Sequence, residues 1–135
     1  MKKKLTLFAA VALSLGATAA SAGAVDELLQ QYQTQGAGDF SAERGKQRWH
    51  EDHPDPEQPG KVRNCSSCHT NDFKAIGKHA KTGEEIDPLA PSVNKERLTD
   101  KKFIEKWLKR NCKWVIDREC TPQEKGDYLV FLRDQ

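Results

Sequence analysis

Apolar residues recur at helical spacing in four stretches of the chain, and nowhere do they alternate as a half-buried strand requires. Val25, Leu28, Leu29 and Tyr32 share one side of a helix running from Ala24 to about Gln33. Asp26 and Glu27 stand at its start, where the helix dipole favours acids, and Gly36-Ala37-Gly38 ends it. Ser41 caps a second helix with Glu43 in its first turn and Gly45 and Trp49 four apart on one face. A glycine inside a helix costs about 1 kcal/mol relative to alanine, so Gly45 marks the close approach of another helix. Thr99 or Asp100 caps a third helix reaching about Arg110, with Phe103, Ile104, Trp107 and Leu108 as its apolar stripe. Lys101, Lys102, Lys106, Lys109 and Arg110 lie on its other face, either simply solvated or able to dock an acidic partner. Thr121-Pro122-Gln123-Glu124 joins a capping threonine, a proline at the first helical position and a glutamate placed for a capping box. The helix it opens buries Tyr128, Leu129, Phe131 and Leu132.

Between these helices the chain has no period. His50 to Asn64 holds Pro54, Pro56, Pro59 and Gly60 among acids and reads as a surface loop, with His50 and His53 as solvated side chains. Thr70 to Asn94 is broken by Gly77, Gly83, Pro88 and Pro91. A segment that long without structure is uncommon in a compact domain, and it is easier to understand if it wraps a cofactor. His79 lies within it, either exposed or beside that cofactor. The pattern as a whole is that of an all-α domain.

The N-terminal residues stand apart. Met1-Lys2-Lys3-Lys4 is basic, Leu5 to about Gly16 is apolar, and Ala20-Ser21-Ala22 fits the small-x-small cleavage rule. Residues 1–22 therefore read as a secretory signal peptide and residues 23–135 as one domain, exported to the periplasm. The apolar run is too short for a convincing membrane span, and no other segment is apolar enough to be one. Removing residues 1–22 takes away three lysines and no acids and turns the formal charge from +2 to −1. No global basic charge remains to attract nucleic acid. With 36% hydrophobic residues, the domain has little apolar surface from which to build a core.

That shortage gives weight to Cys65-Ser66-Ser67-Cys68-His69. Two thiols two residues apart can add to the two vinyl groups of a porphyrin, and the turn between them brings His69 under the iron as proximal ligand, which makes this a c-type haem site. A redox dithiol or half of a zinc site would leave His69 without a fixed role, and zinc would require further ligands at a second short spacing. The other cysteines, Cys112 and Cys120, either pair with each other in an oxidising compartment or stay as buried thiols.

Together, Gly45 and Trp49 on an early helix, the haem turn and the final run Asp127-Tyr128-Leu129-Val130-Phe131-Leu132 resemble the class I c-type cytochromes. In that fold the first and last helices cross near the haem edge, so the resemblance implies that Gly45 lets Tyr128 or Phe131 pack close. The chain departs from the class in one respect. A methionine usually supplies the second axial ligand, and the only methionine here is Met1.

A narrower likeness addresses that gap. Pro88-Leu89-Ala90-Pro91-Ser92-Val93-Asn94, Glu105-Lys106-Trp107-Leu108-Lys109-Arg110-Asn111-Cys112 and Arg118-Glu119-Cys120-Thr121 resemble the sphaeroides haem protein group, related to a family of uncharacterised cytochrome-like domains. The resemblance implies one covalent haem c and a disulfide between Cys112 and Cys120. It also implies that Asn111 is an axial ligand of the oxidised iron and leaves on reduction to admit oxygen or nitric oxide, with a dihaem cytochrome c as electron donor. Taken by itself, Asn111 also reads as an ordinary residue at a helix C-terminus. Two functions follow: a haem module that binds or reduces a small diatomic ligand, or a plain electron shuttle with a permanent second ligand, His79.

Overall fold

A computed structural model describes residues 23–135; the signal peptide assigned to residues 1–22 lies outside them. Five helices carry the fold: α1 (Ala24–Thr34), α2 (Ala42–Trp49), α3 (Ser66–His69), α4 (Lys101–Ile116) and α5 (Pro122–Arg133). Two minimal ladders interrupt the long irregular segments. β1 (His53–Pro54) pairs antiparallel with β2 (Val62–Arg63), and β3 (Gly77–Lys78) with β4 (Glu85–Ile86). At two residues each, these ladders leave no alternating pattern in the sequence.

The capping chemistry sets where the helices begin. Ser41 accepts from the Arg44 amide at 3.2 Å, Asp100 from the Phe103 amide at 2.8 Å, and Thr121 from the Glu124 amide at 3.2 Å, while the Glu124 carboxylate accepts from the Thr121 amide at 2.8 Å. In each case a side chain satisfies an amide that the first turn leaves unpaired.

Helix α5 is the centre of the domain, buried from Gly126 to Leu132, with α1 and α2 packed against it. Val25, Leu28 and Tyr32 of α1 join Ile104 and Leu129 in one apolar cluster. The second cluster gathers Trp49, Phe73, Tyr128, Phe131 and the two sulfurs of Cys112 and Cys120. Where α2 crosses α5, Gly45 lies so close that a Cβ would stand 2.1 Å from the Asp127 carbonyl oxygen and 2.8 Å from the Phe131 Cβ. Asp127, fully buried, fastens the same crossing. It accepts from the Ser41 amide at 2.8 Å, from Nε and Nη2 of Arg44 at 2.9 Å each, from Arg48 at 2.9 Å and from Gln123 at 3.2 Å. Burial pushes the Asp127 carboxyl up, but these donors, Arg44 first, outweigh it and hold the carboxyl below its usual range.

Helix α4 differs from expectation in two ways. It does not stop at Arg110 but continues to Ile116, ending where Asp117 takes a left-handed conformation (φ 57°). Cys112 and Val115 extend the buried line begun by Ile104, and no glycine or proline interrupts it. The expected apolar stripe is also displaced. Ile104 is buried, while Phe103 and Trp107 remain 48% and 37% exposed, stacked edge to face at 6.0 Å. They sit on the flank of the helix, where the protein's own atoms do not reach. On the basic face Lys101 pairs with Glu27, and Lys109 with Glu119 at 3.1 Å, so these two are less free to meet a partner.

Candidate functional site

Cys65 stands at the N-cap of α3, and Ser66 to His69 form a single helical turn. The turn is held from below by Asn64, whose side-chain oxygen accepts from the Ser66 hydroxyl at 2.8 Å and the Ser67 amide at 3.1 Å; its amide group donates to Asp52 at 2.8 Å. From the other side the β3–β4 hairpin backs onto it. A Cβ on Gly77 would stand 2.5 Å from the Cys68 carbonyl oxygen, and the Ala80 amide lies 3.4 Å from the Cys68 sulfur. Thr70 then leaves the turn at a positive φ of 61°. Neither Asn64 nor Gly77 stood out in the sequence as part of the site. The signal was present: an asparagine directly before the first cysteine, and a glycine beginning the segment that returns to the second.

His69 reaches inward. Its ring lies 5.6 Å from that of Trp49, at the edge of an aromatic group in which Trp49 meets Phe73 at 5.3 Å and Phe73 meets Phe131 at 5.5 Å. Burial, and then the positive charge of Arg97, lower the His69 pKa to about 4, so the imidazole is neutral at neutral pH and a nitrogen lone pair is available. Arg97 is placed by the segment that wraps the turn, donating to the carbonyls of Pro88 at 2.8 Å and Asp87 at 2.6 Å. Burial and the neighbouring Cys68 push the Cys65 thiol up to about 12, against the hydrogen bond from Tyr128. A thiol that resists ionisation is the reverse of what a redox dithiol needs. Among the described residues no three histidine, cysteine or carboxylate side chains gather as a metal site, which leaves a zinc reading without its remaining ligands.

The other candidate residues are spread over the domain. Cys112 and Cys120 form a disulfide with Cα atoms 5.6 Å apart, joining the C-terminal part of α4 to the residue before the Thr121 cap of α5. Asn111 is exposed, within α4 rather than at its end, and its side chain makes no hydrogen bond to the described residues. His79 sits in the β3–β4 turn, where its Nδ1 accepts from the Thr82 amide at 3.2 Å; His50 is exposed and His53 lies in β1.

The donor set fits a c-type haem. Cys65 and Cys68 are free and partly buried on one turn, while the chain's other two cysteines are bonded to each other. Thioether formation consumes neutral thiols, and a neutral imidazole follows them directly. Cys65, Cys68 and His69 would hold the group, which brings a one-electron iron couple.

Residues 35–132 match the family described as "Domain of unknown function (DUF1924)". The chain is 51% identical over 71 residues to the cytochrome c-type protein SHP of Cereibacter sphaeroides, and 41% identical over 73 residues to cytochrome c'' of Methylophilus methylotrophus. These stretches cover 53% and 54% of this chain, and 54% and 51% of the relatives, so the match spans about half the length of either relative. Among solved structures, oxidised SHP, described as an oxygen-binding cytochrome c, superposes with a TM-score of 0.73 at 38% identity, covering 84% of this chain and 98% of the other. Oxidised cytochrome c'' from Methylophilus methylotrophus superposes with a TM-score of 0.71 at 31% identity, covering 83% and 94%. The chain therefore belongs to the DUF1924 family and is a class I c-type cytochrome of the SHP group, with covalent haem c as its cofactor.

Proposed function

We propose that the protein is a periplasmic monohaem cytochrome that takes up a small diatomic ligand, such as oxygen or nitric oxide, at a distal position opened by reduction. Its electrons come from another cytochrome, of the dihaem kind. Cys65 and Cys68 carry the thioether bonds, His69 is the proximal ligand, and Asn111 is the distal ligand of the oxidised state.

The observation that carries the reading is the condition of Asn111. Its backbone is fixed inside α4, and its neighbour Cys112 is tied to Cys120, yet its amide makes no hydrogen bond to the described residues. It can thus rotate without breaking an internal bond. An amide oxygen is a hard, neutral donor that suits ferric better than ferrous iron, so reduction weakens its hold. Once released, the NH₂ group of Asn111 can donate a hydrogen bond to an incoming ligand. With Met1 the only methionine, the usual sixth ligand is missing. Two relatives are described in matching terms: SHP as oxygen binding, and cytochrome c'' through haem-ligand detachment. Export is supported by the basic, apolar and small-residue pattern of residues 1–22.

Optical spectra of the oxidised and reduced protein, with and without carbon monoxide, test the reading. Carbon monoxide should change the reduced spectrum of the parent. Asn111→Ala should keep its haem and alter the oxidised spectrum, while Asn111→His should abolish the response to carbon monoxide. An alanine variant whose oxidised spectrum equals the parent's at every pH would remove Asn111 from the site and turn attention to His79 as the ligand of a plain electron shuttle.

A further inference from the structure

We propose a second binding site, for a small planar oxyanion such as formate, nitrate or a simple carboxylate, built around Arg63 beside the haem turn. Arg63 keeps only 5% of its surface exposed, yet its guanidinium makes no hydrogen bond to the described residues, and its buried Nε has no partner. The Asp55 carboxylate is 3.6 Å from Nη1, beyond hydrogen-bonding distance. That carboxylate is already occupied by the Glu57 amide at 2.9 Å and the Gln58 side chain at 3.4 Å. On the other side the guanidinium lies 4.9 Å from the Trp114 ring centre. The Asp55 carboxylate balances the charge, but a buried Nε with no acceptor is costly unless something completes it.

A cavity of about 170 Å³ opens next to these groups, several times the share of one water molecule in the liquid. It is lined by Arg63, Trp114 and Ser67, with Lys61 and Lys81 adding positive charge and Asp55 and Glu57 opposing it. Three cations against two acids leave room for one negative charge. A guanidinium fork matches two coplanar oxygens, which selects planar anions over spherical ones. Ser67 lies between the two haem-turn cysteines, so the cavity borders the turn on which Cys65 and Cys68 would hold the haem. The propionates of a porphyrin stand opposite the vinyl groups that Cys65 and Cys68 would take, which favours a free anion as the occupant over the cofactor's own carboxylate. The site does not depend on the role of Asn111.

Calorimetric titration of the oxidised holo protein with sodium formate and sodium nitrate, against sodium chloride at constant ionic strength, tests the proposal. Formate and nitrate should give saturable binding at one site and chloride should not. Arg63→Lys keeps the charge but loses the fork, and should weaken binding by at least about ten-fold. A crystal structure of the parent grown with formate should show the anion within hydrogen-bonding distance of the Arg63 Nε, and this decides the matter if the variant does not fold. Absence of saturable heat, binding undiminished by Arg63→Lys, or only water or a haem propionate beside Arg63 in the crystal would overturn it.

Discussion

Replacing Gly45 by alanine sets helix propensity against packing, and the two give opposite signs. Alanine favours an exposed helix by about 1 kcal/mol over glycine, so local preference alone makes Gly45→Ala more stable. The crossing of α2 and α5 does not allow it. The added methyl would stand 2.1 Å from the Asp127 carbonyl oxygen, a backbone atom that cannot swing aside. Restoring ordinary contact parts the two helices by about 1.3 Å. That displacement stretches the bonds of 2.8 and 2.9 Å that Ser41, Arg44 and Arg48 send across the crossing to the Asp127 carboxylate. Overpacking typically costs about 1–3 kcal/mol, and each lost bond to a charged group about 1.5–3. Arg44 and Arg48 recover water, since 45% and 29% of their side chains are exposed, which limits the second contribution. The net loss is about 3 kcal/mol, a large part of the roughly 5–15 kcal/mol that a domain of this size possesses. Urea unfolding of the holo protein, followed by far-ultraviolet circular dichroism, measures it. Gly38→Ala is the control, because its Cβ meets nothing nearer than 3.6 Å, and it should change stability by less than about 0.5 kcal/mol. A Gly45→Ala protein as stable as the parent would refute the close crossing.

Two further changes test how α5 is anchored. Glu124, paired with Arg118 at 2.7 and 2.8 Å, has its carboxyl held down to about 2, first by Arg118 and then by the Thr121 amide. Its folded pKa lies below the unfolded value of 4.5, so the stability it contributes is present above about pH 4.5 and lost as pH falls toward 2. Arg118 is half exposed, and screening keeps the effect to about 1–2 kcal/mol; Glu124→Gln should flatten that part of the stability–pH curve in urea titrations, and an unchanged slope would count against the pair. Removing the disulfide by replacing Cys112 and Cys120 with alanine should cost about 2 kcal/mol, as expected for so short a closed loop, and should speed hydrogen exchange in the C-terminal part of α4, from Cys112 to Ile116, specifically.

What the sequence made visible was local. Ser41, Thr121 and Glu124 cap helices through neighbours three residues away, and Cys65, Cys68 and His69, the proposed haem-holding residues, share one turn of chain. The end of α4 was misjudged because an asparagine after a run of basic residues looks like a helix terminus, while Cys112 and Val115 only complete the buried line once α5 is in place. Phe103 and Trp107 share helical spacing with Ile104, but how wide a stripe gets covered depends on what packs against it. Arg63 could not be read at all, since its surroundings combine a loop near Asp55 with Trp114, far along the chain. The role proposed for Asn111 came through resemblance, because no neighbouring residue marks an amide as a metal ligand.

The short disulfide also bears on how the protein matures. Exported as proposed, the chain would bring four unpaired thiols into an oxidising compartment, and two of them must stay reduced until haem is attached. Cys112 and Cys120 are 8 residues apart, whereas Cys68 precedes Cys112 by 44. Closing the longer loop costs about 1.5 kcal/mol more in chain entropy, an encounter roughly ten-fold rarer. An oxidant acting at random on the nascent chain is thereby steered away from cross-linking Cys68 to Cys112, and contour length alone goes far toward sorting the sulfurs into one bridge and one cofactor clasp.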